Sequence, residues 1–385
     1  MIDAPGPWAS GAFVLVEGRS VVHTERVATD GEDCTWLQTE DRSPTVRLRA
    51  NPHYWDRRRG PRLAEVEFRN DLSPAEALDL VCDGVGEVDL VTEVPATAAR
   101  RVQRSRHAKL VTVAAVRVLA GVIDREADGL PLHDRRARRA LNLALDRAAL
   151  VREAFDGHAA PLHGLTPPTP LTALHRFPGR LRGYPYDRAT ARRLWASTGG
   201  ASRPLRLATF EGWAAAAQVV AAQLRESLDL VVEVSVLDRE QQYEARRRLA
   251  EKGSGDWDVL LLDHGSQSAD VPPVELHRAF VGRSGEFRAG PVDARFEQLF
   301  ARLRAQTSQL RQVLAANRID RHVTREASAL FLVAPRSLYA VNRHVRFLPY
   351  ATSLELADTS VRRRHWSRRR RSRRPVEDDS GRTTA

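Results

Sequence analysis

Apolar and polar positions along this chain fall into two textures joined by a proline-rich stretch. In the first, Phe13-Val14-Leu15-Val16 follows a Ser10-Gly11 turn, and residues 45–50 alternate at the two-residue spacing of a half-buried strand. Within 61–69, Leu63, Val66 and Phe68 sit near strand spacing. Ser73, Pro74 and Glu76 then suit the cap, first and third positions of a helix that carries Ala77, Leu78 and Val81 and stops near Gly84. Residues 87–91 read as a short strand. The longest helical pattern starts at an Asp134 cap and runs over 135–155 without Gly or Pro, with Ala140, Leu141, Ala144, Leu145 and Leu150 near one face. Pro161, Pro167, Pro168, Pro170 and Pro178 then block regular structure and mark a crossover or a domain boundary.

Beyond that stretch, strands and helices alternate. The pattern predicts helices over 188–198, 214–228 and 241–251, and strands over 205–209, 231–236 and 256–262. Such β-α-β-α-β order belongs to an α/β domain. Helices over 293–304 and 310–330 and a strand near 337–341 complete the pattern, and residues from 362 onward read as a disordered Arg-rich tail.

At 385 residues and 42% hydrophobic, the chain is long enough for two cores. No stretch approaches the roughly 20 consecutive apolar residues of a membrane-spanning helix. The net charge of +11 is unevenly placed: residues 362–385 hold ten Arg against Glu377, Asp378 and Asp379, or +7, leaving +4 for all the rest. Lys109 and Lys252 are the only lysines. A uniformly basic protein would point to nucleic acid, whereas this is a mildly basic body with a basic tail. Cys34 and Cys82 lack metal-ligand spacing and read as two isolated buried thiols, with a disulfide between them left open. The N-terminus shows no secretory signal pattern. No nucleophile elbow, P-loop, zinc-protease or dinucleotide fingerprint occurs, so no catalytic residue, cofactor or metal is assigned.

Six segments in order carry a resemblance. They are Ser10–Leu15, Asn51-Pro52-His53-Tyr54-Trp55, Pro61–Phe68, Gly86-Glu87-Val88-Asp89-Leu90, Arg138–Arg147 and Tyr186–Ala191. Together they resemble the extracytoplasmic solute-binding proteins of family 5, which serve peptide, dipeptide and nickel ABC importers. The resemblance implies a two-lobed, periplasmic-binding-protein-like α/β fold of type II with part of the first lobe missing. Residues 8–168 would form the partial first lobe, to which 341–360 return; 169–340 would form the second lobe and 361–385 the tail.

The same resemblance implies a non-enzymatic, monomeric protein that captures a peptide-like solute for ABC importer membrane subunits, at the periplasm or cell surface. Taken as it starts, without a signal, the chain would be cytoplasmic. In peptide-binding members the loop after the apolar strand of the second lobe holds the ligand, so His264, Gln267 and Asp270 are the implied contacts. Trp213 is a further candidate for lining the cleft. The Arg-rich segment offers contact to an anionic surface or to nucleic acid. A second reading takes the chain as the ligand-sensing part of a cytoplasmic sugar-stress transcriptional regulator without its winged-helix module.

Overall fold

The computed structural model describes residues 10–28, 34–84, 86–114, 117–168, 183–251, 255–265, 274–349 and 356–371. In chain order its strands are β1 Phe13–Glu17, β2 Ser20–Ala28, β3 Cys34–Arg42, β4 Thr45–Ala50, β5 Glu65–Arg69, β6 Leu90–Val91, β7 Ala108–Ala114, β8 Arg117–Ile123, β9 Ala159–Pro161, β10 Leu205–Phe210, β11 Val232–Leu237, β12 Val259–Gly265, β13 Ala329–Asn342, β14 Val345–Arg346 and β15 Ser360–Val361. The helices are α1 Pro74–Asp83, α2 Ala99–Arg104, α3 Arg135–Leu143, α4 Arg147–Phe155, α5 Arg188–Ala196, α6 Ala214–Leu228, α7 Arg239–Ala250, α8 Val274–Val281, α9 Ala294–Arg304, α10 Gln309–Arg325 and α11 Trp366–Arg371.

The principal sheet runs β11-β10-β12-β8-β13-β6, with β7 and β9 also on β13. Strand β10 is parallel to β11 and β12, while β8 is antiparallel to β12 and to β13. Side chains alternate across the pleat, so each strand feeds two cores. Leu119, Leu207, Val259, Leu261 and Leu330 face one, under α3 to α6. Val118, Phe210, Leu260, Leu262 and Phe331 face the other, under α8 to α10. Gly121 stands where β8 is squeezed between neighbours: a Cβ there would lie 2.9 Å from Leu330 Cβ and 2.9 Å from Val259 Cγ1.

A smaller core gathers Leu78, Val81, Cys82, Val94, Val102, Leu338 and Ala340. Two adjacent antiparallel passages join it to the large sheet. One is β13, whose Ala329–Val333 portion pairs with β8 and whose Arg336–Asn342 portion pairs with β7. The other is the run from β7 into β8. Leu130, Leu141, Leu150 and Phe155 share one core with Leu205 and Leu261 of the later strands.

The helix expected over 135–155 is two helices. Asp134 caps α3, but Asp146 caps a second helix by accepting from Ala149 N at 3.0 Å, so a side chain competing for backbone amides ends the first. The break lets two buried polar side chains, Asn142 and Arg147, reach β13, while Arg138 reaches the turn that precedes it. Asn142 donates to Ala329 O at 3.0 Å and accepts from Phe331 N at 3.0 Å. Arg147 Nε donates to Phe331 O at 2.7 Å and Nη2 to Asn142 Oδ1 at 3.1 Å. Arg138 donates to Ala327 O, Leu132 O and Glu326 O. Asn142 and Arg147 thus stand in for a neighbouring strand along the open edge of β13, and β9 takes over from Val333. Burial pulls both guanidinium pKa values down to about 10, which leaves them charged at neutral pH, held by carbonyl dipoles.

The tail expected to be disordered from 361 is folded over its described part. Strand β15 pairs with β14, and α11 follows. His365 is 1% exposed. Its Nε2 lies 2.8 Å from Asp89 Oδ1, and Trp366 Nε1 donates to the same oxygen at 3.0 Å. Two large side chains closing over one acceptor hold this segment on the small core. Residues 372–385 lie outside the described residues, as does the side chain of Cys34. Cys82 is a free, buried thiol whose pKa burial pushes up.

Candidate ligand-binding site

The parallel strands β10 and β12 end at one rim of the sheet, and ligands of open α/β sheets bind outside such carboxyl ends. Asp263 and His264 occupy the last turnings of β12 and point to opposite faces. On one face Trp213, from the turn that opens α6, donates its indole N–H to Asp263 Oδ1 at 2.7 Å. Its ring lies 6.1 Å from that of Phe155. Arg117, at the start of β8, places Nε 3.3 Å from Asp263 Oδ2, and its Nη2 stands 3.6 Å from Glu93 Oε1.

Glu93 belongs to the small core's side of the crossing. Its φ of 57° is in the left-handed region, unusual for a residue with a long side chain. Its carboxylate is largely exposed, at 79%. The chain Trp213–Asp263–Arg117–Glu93 therefore runs across the junction of the two packing units. Nearby Tyr339 has its phenol pKa raised by burial and then by the Glu93 charge.

On the other face, the His264 ring meets Phe287 edge-on with centroids 5.0 Å apart. Burial, and then the Arg246 guanidinium, push its pKa below the ordinary histidine value, with Asp263 opposing. Arg246 lies over the Phe210 ring at 5.4 Å, and its Nε is buried without a hydrogen-bond partner. A half-buried guanidinium with an unused, desolvated Nε–H suits an incoming anion, since that N–H is otherwise uncompensated.

Of the residues expected from sequence, Trp213 and His264 come to the same rim but on opposite faces. Gln267 and Asp270 lie outside the described residues. Sequence reasoning missed Glu93, Arg117, Arg246 and Asp263. Asp263 heads the loop already singled out, and the strand-end rule would have found it. Among the described residues no group of three or more His, Cys, Asp or Glu gathers to hold a metal, and no helix is long and apolar enough to cross a membrane.

Residues 37–277 match the model of bacterial extracellular solute-binding proteins, family 5 Middle. The chain belongs to that family. The glutathione-binding protein GsiB of Salmonella choleraesuis is 29% identical over 168 residues, covering 43% of this chain and 30% of that protein. Among solved structures, the substrate-binding protein CtaP of a Listeria monocytogenes ABC transporter superposes with a TM-score of 0.70 at 16% identity, over 91% of this chain and 66% of that one. The murein tripeptide binding protein MppA of Escherichia coli gives 0.68 at 15%, over 91% and 64%. The two-lobed α/β fold of this solute-binding family is thereby shown. This chain spans about two thirds of the solved relatives and aligns with under a third of the curated ones. The regulator reading finds no support among these relatives.

Proposed function

We propose that this chain is the non-catalytic, solute-capturing component of an ABC-type importer, acting outside the cytoplasm. Its ligand is a small peptide-like zwitterion held at the rim of β10 and β12. The observation that carries the ligand class is charge placement at the rim: the Arg246 guanidinium with its unused Nε–H lies on one face and the exposed Glu93 carboxylate, beside Arg117, on the other, so a peptide spanning the rim meets a cation at one end and an acid at the other. The names of the relatives, a glutathione binder and a murein tripeptide binder, fit that class. We infer that the two lobes meet at the β7–β8 and β13 passages, so that Glu93 and Asp263 approach the ligand from opposite sides. Hinge closure around a ligand works only when both lobes touch it.

Thermal-shift measurements on the full chain with dipeptides, tripeptides and glutathione test this. A ligand that binds the native state raises the melting temperature by mass action. The reading expects at least one peptide to do so, with the shift lost on amidating its C-terminus or on introducing Arg246→Ala. No shift from any peptide, or one indifferent to both changes, overturns it.

A further inference from the structure

The folded start of the Arg-rich segment changes what that segment can do. Because His365 and Trp366 clasp Asp89, residues 360–364 are held beside two other basic stretches. Arg362 N donates to His344 O at 2.8 Å, and Arg346 pairs in register with Ser360. Arg343 N donates to His107 O at 2.8 Å, its Nη2 to Ser105 O at 3.0 Å, and Lys109 Nζ to Val345 O at 3.1 Å. These contacts bring Lys109, Arg343 and Arg362 together from three separate segments, with Arg346, Arg363 and Arg364 next to them along the chain. The last five are exposed. Among the described residues none of the six makes an ion pair with a carboxylate, although the rest of the chain carries many Arg–carboxylate pairs. The repulsion registers on Lys109, whose pKa falls through burial and then through Arg362 and Arg343.

We propose that this cluster docks the protein on an anionic phospholipid bilayer. A cluster of cations that no carboxylate pairs is stabilised by an external anionic partner. Polybasic surface patches gain attraction from each Lys or Arg near charged headgroups. Leu348, two residues after Arg346, is 64% exposed. An apolar side chain among cations matches the interface of a bilayer, where acyl chains and phosphates lie side by side. A nucleic acid supplies phosphates but no apolar layer for a leucine. Membership of a family described as extracellular also argues against a nucleic-acid partner. The inference is independent of which solute binds at the rim.

Co-sedimentation of the full chain with phosphatidylcholine vesicles, with and without phosphatidylglycerol, tests the proposal. The protein should pellet only with the anionic vesicles, and less as salt rises. The double variant Arg346→Ala/Arg364→Ala should weaken partitioning by about 25-fold, about fivefold per cation, at unchanged melting temperature. Arg346→Lys/Arg364→Lys should retain binding, which separates charge from folding. Arg373→Ala/Arg374→Ala, beyond the docked segment, should keep most of it. Equal pelleting of the double Ala variant, loss confined to the 373/374 variant, or binding to a DNA duplex with none to anionic vesicles would each overturn it.

Discussion

Asn142 offers the sharpest test of how the family's helix motif acts. Its amide is 0% exposed and serves two backbone groups on the open edge of β13, Ala329 O and Phe331 N, besides Arg147. Asn142→Ala leaves both without a partner in a dry interior. Each orphaned group costs about 1–3 kcal/mol, so the loss should reach about 2–6 kcal/mol. Asn142→Asp keeps the acceptor for Phe331 N–H and sets a carboxylate against the Arg147 guanidinium, withdrawing the donor from Ala329 O and from Arg138 O, which lies inside α3. It should lose about half as much. Urea unfolding followed by circular dichroism, with slopes compared to confirm a similar exposed surface, measures both. If Asn142→Ala lies within about 1 kcal/mol of wild type, or Asn142→Asp is the worse of the two, the surrogate-strand account is wrong.

Three further outcomes follow from the same contacts. Gly121→Ala forces a methyl into Leu330 and Val259 and should destabilise by about 1–3 kcal/mol through overpacking, read in the same urea experiment. The depressed His264 pKa means the unfolded state takes up the proton first as acidity increases. Stability should therefore fall as pH drops from about 6.5 toward the lower folded value and level off below it, and His264→Gln should flatten that slope in urea midpoints against pH. His365→Ala removes a buried donor to Asp89 and should cost about 1–3 kcal/mol, with faster hydrogen exchange at the Arg362 amide than in wild type.

Much of the second texture was legible because period and punctuation agreed there. The helix over Ala214–Leu228 has the expected bounds, and β10 and the apolar run that opens β12 lie between helices of normal length. The capping box at Ser73 and Glu76 was equally plain. Failures cluster where long-range partners decide. Residues 329–333 form a continuous apolar run that extends a helix as easily as it makes a strand. Ala327, in a left-handed turn with no glycine to announce it, ends α10 and opens β13. The hairpin of β2 and β3, helix α8 and strands β7 and β8 went unrecognised. Without β7 and β8 there was no reason to place Arg117 beside Asp263. The Arg-rich segment read as disordered because its order comes from Asp89, some 276 residues earlier. At the rim, Trp213 and His264 were visible as chemistry, but the pleat that separates them by face was not.

Calorimetric titration with the peptide that gives the largest thermal shift, run on wild type and on Arg246→Ala, addresses solute capture at the rim most directly. Wild type should bind one peptide per chain with a negative heat-capacity change, and the variant should bind at least about tenfold more weakly, the loss of a charge-assisted hydrogen bond. Equal affinity in the two proteins, or no heat of binding in wild type, would contradict the account.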